Sequence, residues 1–410
     1  MANASNTLLT NDIISKEALS VLRNQFVLAS RVTKSYESKF GGNNKAGDTI
    51  RIRKPVRYTS ALGAAVNKND STESHTNITL AQRNIGMGFL SADRTLSIDD
   101  FSERFIKTAM AQLASDIDSD GFALYYKSEN VTTPGVYTGG KPAVATGADI
   151  STLRPFNDAK ARMVEKSAPV DDQLYVAVSP ACSAGLVDGL KGLFQSSSEI
   201  AAQYERGIMG KAAGFTFVES QVLPTHVSGT RTTGAVNGAA QSGASLAIDG
   251  VGATATVTQG DTFTIAGVFA INPLTRQATN KLQIFSVQAS EVAVGGEVTL
   301  SIAPSINVTA PNQTVSAAPA DGAVVTWTTG ASVATDVQYC WHRDSMTVAF
   351  VDLTTDLPGA ESSKATDEES GITVRLTGQY DANSDETVYR LDVMYGWQVL
   401  RGEHTCLILG

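Results

Sequence analysis

The sequence predicts an α+β fold in which a domain of mixed helices and strands is interrupted by an all-β domain. Three observations predict it: apolar stripes at helical spacing before residue 226, a charge-poor stretch of short alternating runs over 226–340, and mixed patterning again over 341–410. A chain of 410 residues has room for about two to four domains. The hydrophobic share of 42% is typical of a folded chain, so extended disorder is not expected.

The first predicted element is a helix that begins near residues 10–12, where Thr, Asn and Asp side chains can cap its first turn. A single amphipathic helix must cover its apolar stripe with another surface. Its own domain or a second subunit could supply that surface, and the sequence favours neither. The residues that recur at helical spacing are Ile13, Ile14, Ala18, Leu19, Leu22, Phe26 and Val27.

A basic, extended stretch follows. Residues 31–57 carry eight positive and two negative side chains, a local charge of +6. Residues 48–53 alternate apolar and charged types, which predicts a half-exposed strand, and 77–81 can return as its partner. We therefore expect a long hairpin. Its basic side chains could form a solvated face, or they could contact an acidic surface of a partner. The candidates for such a contact are Arg51, Arg53, Lys54 and Arg57.

The strongest helical pattern in the chain runs from Asp99 to Lys127. At 1.5 Å per residue, such a helix would be about 43 Å long and would serve as a scaffold element. Asp116–Gly121 matches the opening of a calcium-binding loop, but Lys127 stands where the last acidic ligand belongs. Because the apolar stripe also continues through it, we expect helix and no calcium there.

Mixed helices and strands continue to about residue 225. A helix is predicted over 151–168, where Pro169 stops it, and a buried strand over 174–178. A further helix over 181–193 and a strand over 215–218 complete this part of the chain.

The composition changes at His226. Only nine of the 115 residues over 226–340 are charged, and short alternating runs replace helices. This pattern predicts an all-β barrel or sandwich inserted as its own domain. The predicted strands are Ala253–Val257, Thr262–Ile265, Gln283–Val287 and Val298–Ile302.

The last part of the chain returns to the mixed pattern. Strands are predicted over 346–351, 372–376 and 387–399. Between the first two lies an acidic stretch, 352–369, with a local charge of −5. It could be a solvated loop or a docking surface for the basic hairpin, and its contact candidates are Asp367, Glu368 and Glu369.

Residues that carry chemistry are scarce. Three cysteines and four histidines are scattered along the chain, so no zinc cluster or disulfide framework is predicted. No nucleophile elbow or phosphate-binding loop occurs. Cys182 is expected to be a small hydrophobe, and His342–Ser345 to form a polar turn. We therefore predict a structural or interaction protein and no enzyme, with no catalytic, cofactor-binding or metal-ligating residues.

Charge and targeting signals restrict the partners. A net charge of −9 argues against a protein built mainly to grip DNA or an anionic membrane. No apolar window is long enough to span a bilayer, and the first six residues lack the positive region of a signal peptide. The expectation is a reducing cytoplasm.

The order of the elements resembles a known family. A helical arm, a long hairpin, a scaffold helix, a mixed region, an inserted β domain and a mixed C-terminus are similar to a tailed-bacteriophage major capsid (coat) protein with the Hong-Kong-97-type fold. The resemblance is closer to the Salmonella podovirus coat protein group, which has such an insertion. It covers nearly the whole chain and depends on the order more than on any motif. Local similarities lie at Ala213–Phe215, Val222–Pro224, Gly260–Asp261, Ile265–Val268 and Val388–Trp397.

The resemblance implies a division of the chain. It gives an N-terminal arm over 1–45, an extended loop over 46–95, a first part of the peripheral and axial domain with its spine helix over 96–225, the inserted β domain over 226–340, and a return to the peripheral and axial domain over 341–410. The implied function is a major capsid protein that self-assembles into an icosahedral shell around a DNA genome.

The implied partners are copies of the chain in pentamers and hexamers, a scaffolding protein, a portal protein and packaged double-stranded DNA bound non-specifically, with no membrane. The virion would be its location, after assembly in the host cytoplasm. One departure concerns the charged hairpin by which the family's inserted domain reaches a neighbouring capsomer. Residues 244–259 here hold one charge, Asp249. The alternative function is a β-rich binding or adhesion protein that uses 226–340 as a ligand module.

Overall fold

The structure of the chain is a computed structural model. Its described residues fall in two compact units, one within 1–52, 75–121 and 347–398 and the other within 53–74, 122–346 and 399–410. The described residues are 11–34, 49–54, 56–60, 62–64, 68, 75–90, 107–135, 141, 143–190, 210–367, 371–382 and 384–410.

Helices are few and short in the described part of the chain. None of them there has the length and apolar character needed to cross a membrane. Short 3₁₀ turns occupy 29–31, 123–127, 343–345 and 402–404. The α-helices are α1 (Asn11–Gln25), α2 (Lys107–Phe122), α3 (Arg154–Glu165) and α4 (Pro180–Leu190).

Strands dominate the remainder. They are β1 (Thr49–Arg53), β2 (His75–Thr79), β3 (Ala81–Leu90), β4 (Val131–Thr132), β5 (Leu174–Val178), β6 (Lys211–Ala212), β7 (Phe215–Glu219), β8 (Thr225–Val227), β9 (Gly234–Val236), β10 (Gly243–Asp249), β11 (Thr256–Val257), β12 (Thr262–Ile271), β13 (Ala278–Val287), β14 (Glu291–Val292), β15 (Val298–Ile306), β16 (Val324–Trp327), β17 (Ala334–His342), β18 (Met346–Val351), β19 (Glu361–Thr366), β20 (Thr373–Asp381), β21 (Glu386–Val399) and β22 (Thr405–Leu409).

The first unit is built on a five-stranded sheet in the order β18-β21-β20-β19, with β3 also paired to β21. Helix α1 packs on β19 and β20, with Ala18, Leu22 and Phe26 buried. The chain's own sheet therefore covers the apolar stripe of α1, which answers the question the sequence left open. In the same unit β1 pairs with β2, and Ile52 and Ile78 are buried from these strands.

A buried carboxylate joins two segments of the first unit. Asp118 on α2 accepts hydrogen bonds from the backbone N–H groups of residues 27–29, at 2.6, 3.0 and 3.0 Å. Burial raises the pKa of Asp118, although these donors act in the opposite direction. Three N–H groups that follow α1 thus find a partner inside the protein instead of water.

The second unit contains a seven-stranded sheet in the order β4-β22-β17-β5-β7-β6, with β8 paired to β17. Strand β5 pairs in parallel with β7 and antiparallel with β17. Helices α3 and α4 pack on this sheet through Phe156, Met163 and Leu186, against Val176 and Phe217 of the strands. The continuous apolar run of β5 reflects a central strand covered by these helices.

The same unit contains a closed barrel, in the order β10-β15-β13-β12-β16-β9. Closure pairs the edge strands with each other and leaves no open edge. Phe263 stacks on Phe285 at 5.6 Å and meets Trp327 at 5.2 Å between ring centroids. The predicted α+β class with an inserted barrel is confirmed.

Several predicted boundaries are corrected. The scaffold helix ends at Phe122 and tightens into a 3₁₀ turn, from which Tyr125 reaches a histidine of the barrel base. Its predicted beginning at 99–106 lies outside the described residues. Helix α3 is shorter than predicted because Ser167 takes a left-handed φ of 69°. Helix α4 is described over Pro180–Leu190, and the last residues of that prediction, 191–193, lie outside the described part, so its predicted end stays a prediction.

Two strand assignments also change. Residues 253–257 were predicted as one strand, but only Thr256–Val257 is extended, because Gly252 turns the chain with a φ of 108°. Residues 81–90, placed in the extended loop from the sequence, form β3 in the five-stranded sheet. Residues 244–259 supply a barrel strand and one strand of the small β11-β14 sheet.

Candidate intersubunit contact site

The basic strand β1 presents its charges to solvent. Arg51 and Arg53 are exposed, while Ile52 between them is 3% exposed. This is the alternation expected of a strand with one buried face. Among the described residues, Arg51 has no ion pair, whereas Arg53 does have a partner within the protein.

Arg57, by contrast, is already used inside the subunit. Its Nη2 lies 3.0 Å from Oε1 of Glu403, and both side chains are partly buried. Burial raises the pKa of the neighbouring Glu129 to about 7, with a further contribution from the like charge of Glu403. Lys54 and Lys166 act in the opposite direction on Glu129. Arg57 thus belongs to a charge cluster that fixes the segment after β1 against the 3₁₀ turn 402–404, within the second unit.

Of the three acidic candidates, the structure describes Asp367. Asp367 follows β19, and its backbone N–H donates to the carbonyl of Ile372 at 2.9 Å, which closes the turn towards β20. Glu368 and Glu369 fall outside the described residues. Asp352, in the same acidic stretch, pairs with Lys364 at 2.8 Å, so part of the acidic stretch is neutralised locally. The pairing of the basic strand with the acidic candidates between copies stays a prediction.

A buried polar cluster that the sequence analysis did not identify joins the barrel to the seven-stranded sheet. Asp261, at the start of β12, is fully buried. Its Oδ1 lies 2.9 Å from Arg231 Nη2 and 3.1 Å from His226 Nε2. Its Oδ2 accepts from the backbone N–H groups of Gly229 and Thr258, at 3.2 and 2.8 Å. Both oxygens of the carboxylate are therefore satisfied.

The cluster extends to the 3₁₀ turn that follows α2 and to the barrel strand β16. The Tyr125 hydroxyl lies 3.0 Å from His226 Nδ1, and the guanidinium of Arg231 lies 4.4 Å from the ring centroid of Trp327. Burial raises the pKa of Tyr125 to about 12, and the charge of Asp261 adds to this. Gly260 has a φ of 92°, and a Cβ there would meet the Tyr125 ring at 2.8 Å. The Gly260–Asp261 pair was the only sequence signal for this joint.

The residues considered for chemistry have structural roles. Cys182 is buried, which raises the pKa of its thiol to about 12 and removes the thiolate needed for nucleophilic attack. Arg343–Ser345 form a 3₁₀ turn between β17 and β18, as the sequence predicted. Asp116 and Asp120, of the sequence that resembles a calcium loop, lie on helix α2 and pair with Arg83 of β3, at 3.2 and 2.7 Å. In the described part of the chain no group of metal ligands is found.

Comparison with known proteins assigns the chain to a family. The family model for P22 coat protein, gene protein 5, matches residues 1–407. A search of curated proteins finds no match. The matched range includes the strands of the inserted barrel, β9 to β16.

Solved capsid structures are similar at low identity. The capsid of Ralstonia phage GP4 is 8% identical with a TM-score of 0.47, covering 100% of this chain and 93% of that chain. Mycobacterium phage Che8 is 11% identical with a TM-score of 0.46, covering 93% and 90%. The capsid of cyanophage P-SCSP1u is 11% identical with a TM-score of 0.45, covering 100% and 92%. The family assignment rests on the family model rather than on these structures.

Proposed function

Because the chain belongs to the P22 coat protein family, we propose that it is the major capsid protein that self-assembles into the icosahedral shell of a tailed bacteriophage. The observation that carries this function is the family match over residues 1–407. The match also favours a capsid subunit with the Hong-Kong-97-type fold over the alternative of an adhesion protein with a ligand-binding barrel.

The proposed partners follow from that role. Copies of the chain would form pentamers and hexamers whose heterologous contacts close into a shell. A scaffolding protein, a portal protein and non-specifically enclosed double-stranded DNA complete the set, with assembly in the host cytoplasm and a final location in the virion. A net charge of −9 suits a container that encloses DNA without gripping it.

Electrostatic contacts between copies would guide assembly. In this proposal Arg51, Arg53 and Lys54, exposed on and after β1, meet the carboxylates of Asp367, Glu368 and Glu369 in a neighbouring copy. Arg57 contributes indirectly, because its pair with Glu403 fixes the segment that follows β1. Each exposed pair is worth about 0–1 kcal/mol, so such contacts are reversible singly and effective in number.

Electron microscopy of the purified protein tests the proposed function. With a scaffolding protein present, we expect closed shells of uniform size, and without it slower or irregular assembly. Monodisperse monomers under every condition, together with saturable binding of a small ligand, would contradict a capsid role and favour the ligand-binding barrel.

A further inference from the structure

The loop that joins β12 to β13 of the barrel is a rigid turn. The Asn272 Oδ1 accepts hydrogen bonds from the backbone N–H groups of Leu274 and Thr275, at 2.9 and 3.0 Å. The backbone N–H of Arg276 donates to the carbonyl of Asn272 at 2.8 Å. An Asx turn of this kind fixes the loop by its own hydrogen bonds.

This turn is also anchored to the body of the second unit. The Asn272 side-chain amide donates to the carbonyl of Glu165, at the end of α3, at 2.9 Å. Lys281 of β13 pairs with the Glu165 carboxylate at 2.6 Å. The backbone of this turn is therefore held in place, and a side chain on it can hold a neighbouring segment of the chain.

Arg276 occupies a backbone conformation that disfavours it. Its φ is 56°, in the left-handed region where glycine carries no steric cost and a residue with a Cβ is strained. A strained residue persists where the surrounding structure uses it. The Arg276 guanidinium donates from Nη2 to the backbone carbonyl of Tyr58 at 2.8 Å. Glycine at this position would adopt the left-handed backbone conformation without strain, but it has no side chain to donate this hydrogen bond to Tyr58.

Tyr58 belongs to the segment that leaves β1. Residues 56–60 form no helix or strand, so side-chain contacts from other elements decide their course. One such contact is the pair of Arg57 with Glu403, at 3.0 Å. The carbonyl of the next residue, Tyr58, accepts the hydrogen bond from Arg276. Two adjacent residues are therefore held from two different elements of the same unit.

We propose that Arg276 is a positioning residue through which the inserted barrel sets the direction of the segment after β1. The barrel then has a second role besides its own packing, because it holds Tyr58, the residue next to Arg57 and four positions after Lys54. The consequence for assembly rests on the proposed function, in which this segment reaches a neighbouring copy. The positioning itself is a property of the free subunit.

Trypsin offers a direct measurement, because it cleaves after arginine and the Arg57–Tyr58 bond lies inside the held segment. In R276G, we expect the initial rate of cleavage at that bond to rise about fivefold, the effect of losing one hydrogen bond that resists local opening. The midpoint of thermal unfolding should stay the same or rise, because glycine relieves the turn. Fragment masses identify the bond that is cut.

N280G is the matched control. Asn280 also has a φ of 56°, on the neighbouring strand β13, and it makes no contact with the segment after β1 among the described hydrogen bonds. N280G should leave cleavage at Arg57–Tyr58 unchanged. Should R276G not fold, R276Q removes the guanidinium while keeping a side chain at the turn, and the same increase in cleavage is expected.

The outcomes separate this inference from the proposed function. Unchanged cleavage in R276G and R276Q would overturn the positioning role, whatever happens to assembly. Faster cleavage with shells forming at the normal rate would support it and would count against the segment as an intersubunit contact. Faster cleavage with slower assembly, followed by light scattering, would support both.

Discussion

The sheet of the first unit and the barrel of the second each bury one carboxylate completely, but they satisfy it in different ways. Asp392 on β21 accepts from Arg375 at 2.8 Å, Arg390 at 2.7 Å and Gln82 at 2.8 Å, side chains on three strands. Asp261 instead binds one arginine, one histidine and two backbone N–H groups at the base of the barrel. The first carboxylate holds strands together, whereas the second fixes a domain in place.

The largest decrease in the free energy of unfolding is expected for Asp392→Asn. It leaves two arginines without a full counter-charge, one of them almost buried, and should lower the free energy of unfolding by about 4 kcal/mol. Urea unfolding of the free subunit, followed by circular dichroism, measures this. Lys364→Gln is the control, because it breaks an exposed pair in the same sheet and should cost about 0–1 kcal/mol. Equal effects of the two variants would refute the role assigned to Asp392.

Asp261→Asn should have a smaller and more local effect. The amide keeps one acceptor oxygen, but buried Arg231 loses its counter-charge. This should lower the free energy of unfolding by about 3 kcal/mol. Trp327 lies beside Arg231, so the tryptophan fluorescence, to which Trp341 and Trp397 also contribute, should begin to change at a lower urea concentration than the circular dichroism does. Asp321→Asn alters a carboxylate that caps Gly238 at the exposed edge of the barrel and should shift neither signal by more than about 0.5 kcal/mol.

The region around Glu129 and His404 differs from the sites of Asp392 and Asp261. Burial of these two side chains shifts their pKa values towards the uncharged form. Burial raises the pKa of Glu129 from 4.5 to about 7, so stability should fall as pH rises from 4.5 to 7. Burial lowers the pKa of His404 from 6.5 to about 4, so stability should rise as pH rises from 4 to 6.5. The two trends oppose each other between pH 4.5 and 6.5.

Single substitutions should expose each trend. With Glu129→Gln, the urea midpoint should rise with pH between 4 and 6.5, and with His404→Gln it should fall between 4.5 and 7. The double variant should lose both of these opposing trends, and the pH dependence that is left should come from other groups such as Asp118, whose pKa burial also raises. Identical pH profiles for the wild type and both single variants would show that this cluster does not control stability.

The smallest effect on stability is expected at the exposed strand. Reversing Arg51 and Arg53 to glutamate should change the free energy of unfolding by less than about 1 kcal/mol, since both side chains are exposed and the contact that Arg53 makes within the protein is an exposed one. Assembly, followed by light scattering and electron microscopy, should nevertheless slow markedly, because the same pair is repeated around the shell. Normal shell formation would refute the contact proposed for these residues.

Much of the local structure could be predicted because burial repeats with a regular period. Strand β5 was predicted with its observed bounds, and so was β18, since a continuous apolar run marks a covered strand. The barrel was predicted from low charge and short alternation. The end of α2 was not, because Tyr125 leaves the helix to meet a residue about a hundred positions away.

The sequence by itself determined the order of elements, the inserted barrel and the scarcity of reactive residues, and from these came the resemblance to a coat protein. These three features follow from hydrophobic periodicity or composition, and both can be read from a short segment without knowing what it contacts. Only the tertiary structure decided which charges are used inside the subunit. Arg57, Arg276 and Asp261 have the same appearance in the sequence as any other polar residue, and their partners lie at positions that only folding brings within hydrogen-bond distance.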